Sequence, residues 1–106
     1  MLEYARTARR LATDRARADL DADEMLHLAL TRAVEVIGEA ARRVSAEGRE
    51  RYAEIPWSNI TGTRDRLIHG YDMVDFDRLW QILQGDLPPL IGDLERILGE
   101  ESGEGR

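Results

Sequence analysis

The chain is 106 residues long, room for one domain with one modest hydrophobic core, which excludes a multidomain enzyme built on a large cofactor fold. Hydrophobic residues make up 42% and charged residues 34%, too apolar for a disordered tail, and the absence of Cys excludes disulfides and thiolate zinc sites. No run approaches the roughly 18 apolar residues of a membrane span, and the charges at Glu3, Arg6, Arg9, Arg10, Asp14 and Arg15 fit no secretory segment, so the sequence predicts a cytoplasmic chain without a membrane partner.

A net charge of −6 opposes broad electrostatic capture of nucleic acid. The charge is unevenly spread, however. From Arg42 to His69 six Arg (42, 43, 49, 51, 64 and 66) stand against Glu47, Glu50, Glu54 and Asp65, so this segment is +2 and the remainder −8. All fifteen basic residues are Arg, which suits bidentate contacts to phosphate or carboxylate, although a GC-rich coding sequence is the simpler explanation.

Leu2, Ala5, Ala8, Leu11 and Ala12 recur with a helical period and predict a first helix from Leu2 to about Arg17. Asp19, Asp21 and Asp23 then favour a helix entry. A second, central helix is predicted from about Asp23 to Ser45, where Leu26, Leu30, Ala33, Ile37, Ala40 and Val44 form one stripe and Met25, Leu28, Ala29, Val36 and Ala41 widen it. Gly38 in its middle costs roughly 1 kcal/mol against Ala unless another element approaches closely there. His27 falls on its polar side and reads as solvated.

Ala46 to Pro56 reads as a polar connection with one helical turn. Ser58 or Asn59 is placed to cap a third helix carrying Ile60, Arg64, Leu67 and Ile68 and ending at Gly70. Asp75 or Asp77 opens a fourth with Leu79, Trp80, Ile82 and Leu83. Pro88 and Pro89 then either kink one long helix or stand in the first turn of a new one capped by Asp86, before Leu90, Ile91, Leu94, Ile97 and Leu98. No window alternates long enough for a strand. The expectation is an all-α, up-and-down bundle of four to five helices over residues 1–98, with a disordered tail over 99–106.

The chemistry gathers in Thr61-Gly-Thr-Arg-Asp-Arg-Leu-Ile-His-Gly-Tyr71. On one helix Arg64 and His69 lie roughly 140° apart and do not share a face, whereas Asp65 and His69, four apart, do. Asp65 is thereby placed to orient the His69 imidazole. Arg64 would reach the same point by its length, by fraying at Gly70, or from a second subunit, and the last option predicts a site across a dimer two-fold.

These residues resemble the HEPN domain of the HepT toxin type, whose signature is Arg, four residues, His, one residue, Tyr: here Arg64, His69 and Tyr71. Supporting segments are Glu35 to Arg42, Ile55-Pro-Trp57, Val74 to Asp77, Trp80 and Asp86-Leu-Pro88, in order over about residues 23–98. Departures are a short first helix, Ser58-Asn59 where a basic residue follows the Trp, and Asp65 where Asn is also common. The resemblance implies a dimeric, metal-independent endoribonuclease toxin without a cofactor, with Arg64 and His69 catalytic and RNA as substrate. It further implies a nucleotidyltransferase antitoxin that transfers AMP from ATP to Tyr71. The alternative is a non-catalytic HEPN subunit that binds a nucleotide or docks a nucleotidyltransferase.

Overall fold

A computed structural model of the chain describes residues 1–69 and 73–104, and for Arg64, Ile68, His69, Met73 and residues 100–104 the backbone alone. In chain order the elements are α1 (Leu2–Ala12), α2 (Asp19–Ala22), α3 (Glu24–Arg42), α4 (Ala46–Arg51), α5 (Trp57–Thr61), α6 (Thr63–Leu67), β1 (Ile68–His69), β2 (Met73–Val74), α7 (Phe76–Gln81), a π-helical segment (Ile82–Asp86) and α8 (Leu87–Glu104). The fold is all-α apart from the two-residue strands, as the periodicity predicts.

The central position of α3 follows from its stripe. Leu26, Leu30, Ala33, Val34, Ile37 and Ala41 are buried, and the helix packs against α1, α2, α5 and α6. Its entry is the predicted one: the Asp23 carboxylate accepts the Leu26 N–H at 3.0 Å. Gly38 also meets its predicted purpose, because a Cβ there would lie 3.1 Å from the Ile60 carbonyl oxygen of α5. Close passage of α5 over α3 therefore favours a residue without a side chain, since a Cβ would push the Ile60 carbonyl back by a few tenths of an ångström.

Several boundaries differ from the expectation. The first helix stops at Ala12 rather than near Arg17, where Thr13 is extended and Asp14 takes φ 61°. The chain must reverse there so that Leu20, fully buried, enters the core from the short α2. Salt bridges from Arg15 to Asp23 (3.3 Å) and from Arg17 to Asp21 (2.8 Å) and Asp77 (2.7 Å) hold that reversal in place of helix. Ser45, expected inside the second helix, instead caps α4 by accepting the Gly48 N–H. The third helix is divided at Gly62 into α5 and α6, and α5 begins at Trp57 after Pro56 rather than after Ser58 or Asn59. Helix continues to Glu104, past the boundary placed at residue 98.

The prolines produce a third arrangement. Residues 82–86 widen to a π turn, in which the Leu87 N–H reaches back to the Ile82 carbonyl, and Pro88 and Pro89 follow in the first turn of α8. Continuing the π spacing would require an N–H at residue 88 for the Leu83 carbonyl, which Pro88 lacks. The Arg9 guanidinium of α1 supplies the donor instead, at 3.0 Å from the Leu83 oxygen, and a weaker contact to Gln84 Oε1 at 3.3 Å. Arg9→Met, which keeps the stem and removes the donors, is expected to lower unfolding stability by about 1–2 kcal/mol. A urea midpoint equal to that of the parent chain would show that water serves the carbonyl as well.

Trp57 and Trp80 are half-buried against the core, and the Trp57 indole donates to the Tyr52 carbonyl at 3.1 Å. Arg96 of α8 pairs with Glu54 just before α5, and its guanidinium holds the Glu54 carboxyl below the usual carboxylate range. Among the described residues, no helix is long and apolar enough to cross a membrane.

Candidate active site

The Arg64-to-Tyr71 motif straddles a helix-to-strand junction. The short α6 carries Arg64 and Asp65 and is fixed from inside by Leu67, fully buried, and by Thr63, whose hydroxyl donates to the Asn59 carbonyl at 3.0 Å. Instead of continuing to Gly70, the backbone extends at Ile68 and His69 and pairs antiparallel with Met73 and Val74, Ile68 opposite Val74 and His69 opposite Met73. The Asp75 N–H closes the pairing on the Leu67 carbonyl at 2.6 Å, and the Asp75 carboxylate caps α7 through the Arg78 N–H at 3.0 Å. Both β1 and β2 hold a β-branched residue, Ile68 and Val74, a type that favours extended backbone. The strand pair is thereby anchored on both sides, β1 by α6 and β2 by α7.

This junction corrects the helical geometry. Asp65 and His69 do not share a helical face, because α6 ends at Leu67 before His69 is reached. The spacing argument for Asp65 as the orienting group therefore fails, and its side chain is exposed. The 140° separation of Arg64 from His69 fails for the same reason. Backbone positions place Arg64 on α6 and His69 on β1, and their side chains are outside what the structure describes. Gly70, Tyr71 and Asp72 lie outside the described residues altogether.

Beside the hairpin an open groove runs between α3 and the start of α7, lined by His27, Thr31, Arg32, Glu35, Val74 and Phe76 among others. Its nearness to the motif follows from Val74, which forms part of the groove and pairs with Ile68. His27 is not the solvated residue that its helical position suggests. It is half-buried, with its ring tilted against Phe76 at 4.8 Å between centroids, and Arg17 covers the same Phe76 at 5.7 Å. Hydrogen bonds that Arg17 donates to Asp77 and to Asp21 raise its pKa further above an already high value. Thr31 is buried with a hydroxyl that has no hydrogen-bond partner among the described residues, and it lines the same groove. Sequence reasoning missed His27 as a groove residue because its neighbour Phe76 comes from an element 49 positions away, which periodicity within one helix does not report.

A family model described as ribonuclease HepT-like matches residues 1–97. The chain belongs to the HepT-like ribonuclease family. It is 36% identical over 83 residues to a provisionally named RNase of Caldanaerobacter subterraneus subsp. tengcongensis, covering 78% of this chain and 74% of that protein. It is 37% identical over 79 residues to a protein named probable ribonuclease HepT of Thermococcus cleftensis, covering 74% and 72%. A further provisionally named RNase, of Methanocaldococcus jannaschii, is 36% identical over 75 residues, covering 71% and 69%. No solved structure matches the chain. Membership supports ribonuclease activity, and for a HepT-like ribonuclease the motif at the α6–β1 junction and the adjoining groove form the candidate active site.

Proposed function

We propose that the chain is the endoribonuclease toxin of a toxin–antitoxin pair, cutting RNA by metal-independent transesterification with Arg64 and His69 as its catalytic residues. The observation that carries this reading is the ungapped Arg64, His69, Tyr71 motif within a chain whose family match runs over residues 1–97. In the reaction the ribose 2′-OH attacks the neighbouring phosphorus. One imidazole removes the 2′ proton, and the departing 5′ oxygen takes a proton from a second acid. Arg64 stabilises charge on the non-bridging oxygens as the phosphorane forms. The products are a 2′,3′-cyclic phosphate and a 5′-hydroxyl.

One His69 cannot be base and acid at once, so a homodimer that presents two copies of the motif to one cleft completes the chemistry. Support for a second copy comes from α3, where Met25 is 83% and Leu28 56% exposed, unusual for large apolar side chains on consecutive turns. Arg32, Glu35 and Glu39 continue that face with charges of both signs, which can pair with a second copy of themselves.

Tyr71 is the proposed target of AMP transfer from ATP by a nucleotidyltransferase antitoxin. An added nucleotide two residues from His69 brings bulk and negative charge to the place that the RNA phosphate must occupy. Incubation with the cognate nucleotidyltransferase and ATP is expected to increase the intact mass by one or more AMP units and to abolish cleavage, with both effects absent in Tyr71→Phe. Unchanged mass in the parent chain would remove this form of control.

The net charge of −6 favours a second reading, a HEPN subunit that docks a nucleotidyltransferase or binds nucleotide without cutting RNA. An RNA cleavage assay in EDTA separates the two. Cleavage by the parent chain that is lost in His69→Ala supports the ribonuclease toxin, and intact RNA with folded, dimeric parent protein supports the docking subunit.

A further inference from the structure

Away from the motif groove, a cavity of about 160 Å³ lies in the seam between α3, α5 and α6 on one side and the π turn with α8 on the other. Val34, Ile37, Ile60, Ile82, Leu87 and Leu90 supply its apolar walls. In volume it matches an engineered apolar cavity of roughly 150 Å³ that takes up a benzene ring. The π turn itself builds part of the lining, through Ile82, Gly85 and Asp86, and such turns recur at functional sites.

Charge is divided between the two sides of the cavity. Asp86 and Asp93, seven residues apart, fall on one face of the π turn and α8 and both line the cavity, Asp86 exposed and Asp93 half-buried. Neither carboxylate takes part in an ion pair or a hydrogen bond among the described residues. The opposite side carries Arg66, whose terminal nitrogens are turned to their own wall. Nη2 donates to the Asn59 carbonyl at 2.5 Å and weakly to Thr63 Oγ1 at 3.4 Å, and Nη1 lies 3.4 Å from Asn59 Oδ1. Arg66 therefore ties α6 to α5 and leaves both carboxylates across the cavity without a counter-charge.

An apolar space the size of one ring, beside unpaired carboxylates, is complementary to an organic cation. An anion would meet two carboxylates and a guanidinium already committed to Asn59 and Thr63. RNA, a polyanion, is disfavoured on the same ground. An inorganic cation gains nothing from the apolar walls, and an uncharged hydrocarbon forgoes the charge-assisted hydrogen bond that either Asp can accept. We propose that this cavity binds a small organic ammonium ion, its ring or branched chain against the apolar walls and its N–H groups on Asp86 or Asp93. The proposal does not depend on the ribonuclease reading, and no step of RNA cleavage passes through the cavity. Thr63 and Arg66 make its occupant a neighbour of α6, the helix that carries Arg64 and Asp65.

The test is a titration of the full-length chain with three probes that share one ring and differ in charge: phenethylammonium, 2-phenylethanol and 3-phenylpropionate. Binding is followed through the methyl NMR signals of Ile60, Ile82 and Leu87, with Leu20 and Leu79, which are buried outside the lining, as internal controls. The ammonium is expected to shift the cavity signals and leave the controls in place. Its affinity should exceed that of the alcohol about three- to fivefold, the scale of a partly exposed ion pair, and the propionate should bind more weakly than either. In the double variant Asp86→Asn, Asp93→Asn the ammonium should fall to the affinity of the alcohol, while unchanged binding of the alcohol shows that the cavity is intact. Absence of cavity shifts with the ammonium, equal affinities of the three probes in the parent, or a preference for the ammonium that persists in the double variant would overturn the proposal.

Discussion

His69→Ala is expected to reduce RNA cleavage in EDTA by about 10²–10⁴-fold, the range that general acid–base catalysis contributes. Arg64→Ala should cost about 10²–10³-fold, the scale of one lost charge-stabilising donor. The double variant should be little worse than His69→Ala alone if the two act on one transition state, because residues acting as a unit are not additive. The informative measurement is kcat at saturating RNA alongside the affinity for RNA. A fall in affinity with kcat preserved would make Arg64 a binding group only, and residual activity of His69→Ala near that of the parent would place the catalytic imidazole elsewhere. His27, lining the groove beside the hairpin, would then be the side chain to replace next.

Leu67→Ala is expected to have the largest effect on stability that also reaches the site. Leu67 is 0% exposed and ends α6, and its carbonyl receives the Asp75 N–H that closes the hairpin. Truncating a buried Leu costs about 2–5 kcal/mol, which for a domain of this size lowers Tm by at least about 10 °C. Because the same residue separates Arg64 from His69, kcat should fall at temperatures where the variant is still fully folded. A large loss of stability with kcat unchanged would mean that the hairpin holds the motif without help from the core below it.

The long-range organisation was legible from the residues because α3 is long and its pattern repeats. Asp23 as cap, the Leu26 to Ala41 stripe and the close approach at Gly38 all follow from local chemistry acting over several turns. The site was legible as composition, not as geometry. Arg64, His69 and Tyr71 stand out by residue type and spacing, but the switch from helix to strand at Ile68 involves two residues on each side, too few to show alternation. Pairing with Met73 and Val74 outweighed the helical preference of the preceding run, and Gly62 divided a helix that reads as continuous. The groove and the cavity were invisible for a different reason: each is assembled from elements distant in sequence, as Thr31 with Val74 and Arg66 with Asp93 illustrate.

The π turn at Ile82–Asp86 takes up one residue more than an α turn between the same hydrogen-bonded ends, since the Leu87 N–H meets the Ile82 carbonyl five positions back instead of four. Deleting one residue there would let α7 run into α8 as ordinary helix with that bond kept. Leu90, Leu94 and Ile97 would then stay in the core, and α8 would keep the seam that it shares with α1. A deletion further along α8 would instead turn everything beyond it by about 100°. The wide turn is accordingly a slack link, where the loss of one residue should be better tolerated than in the helix that follows.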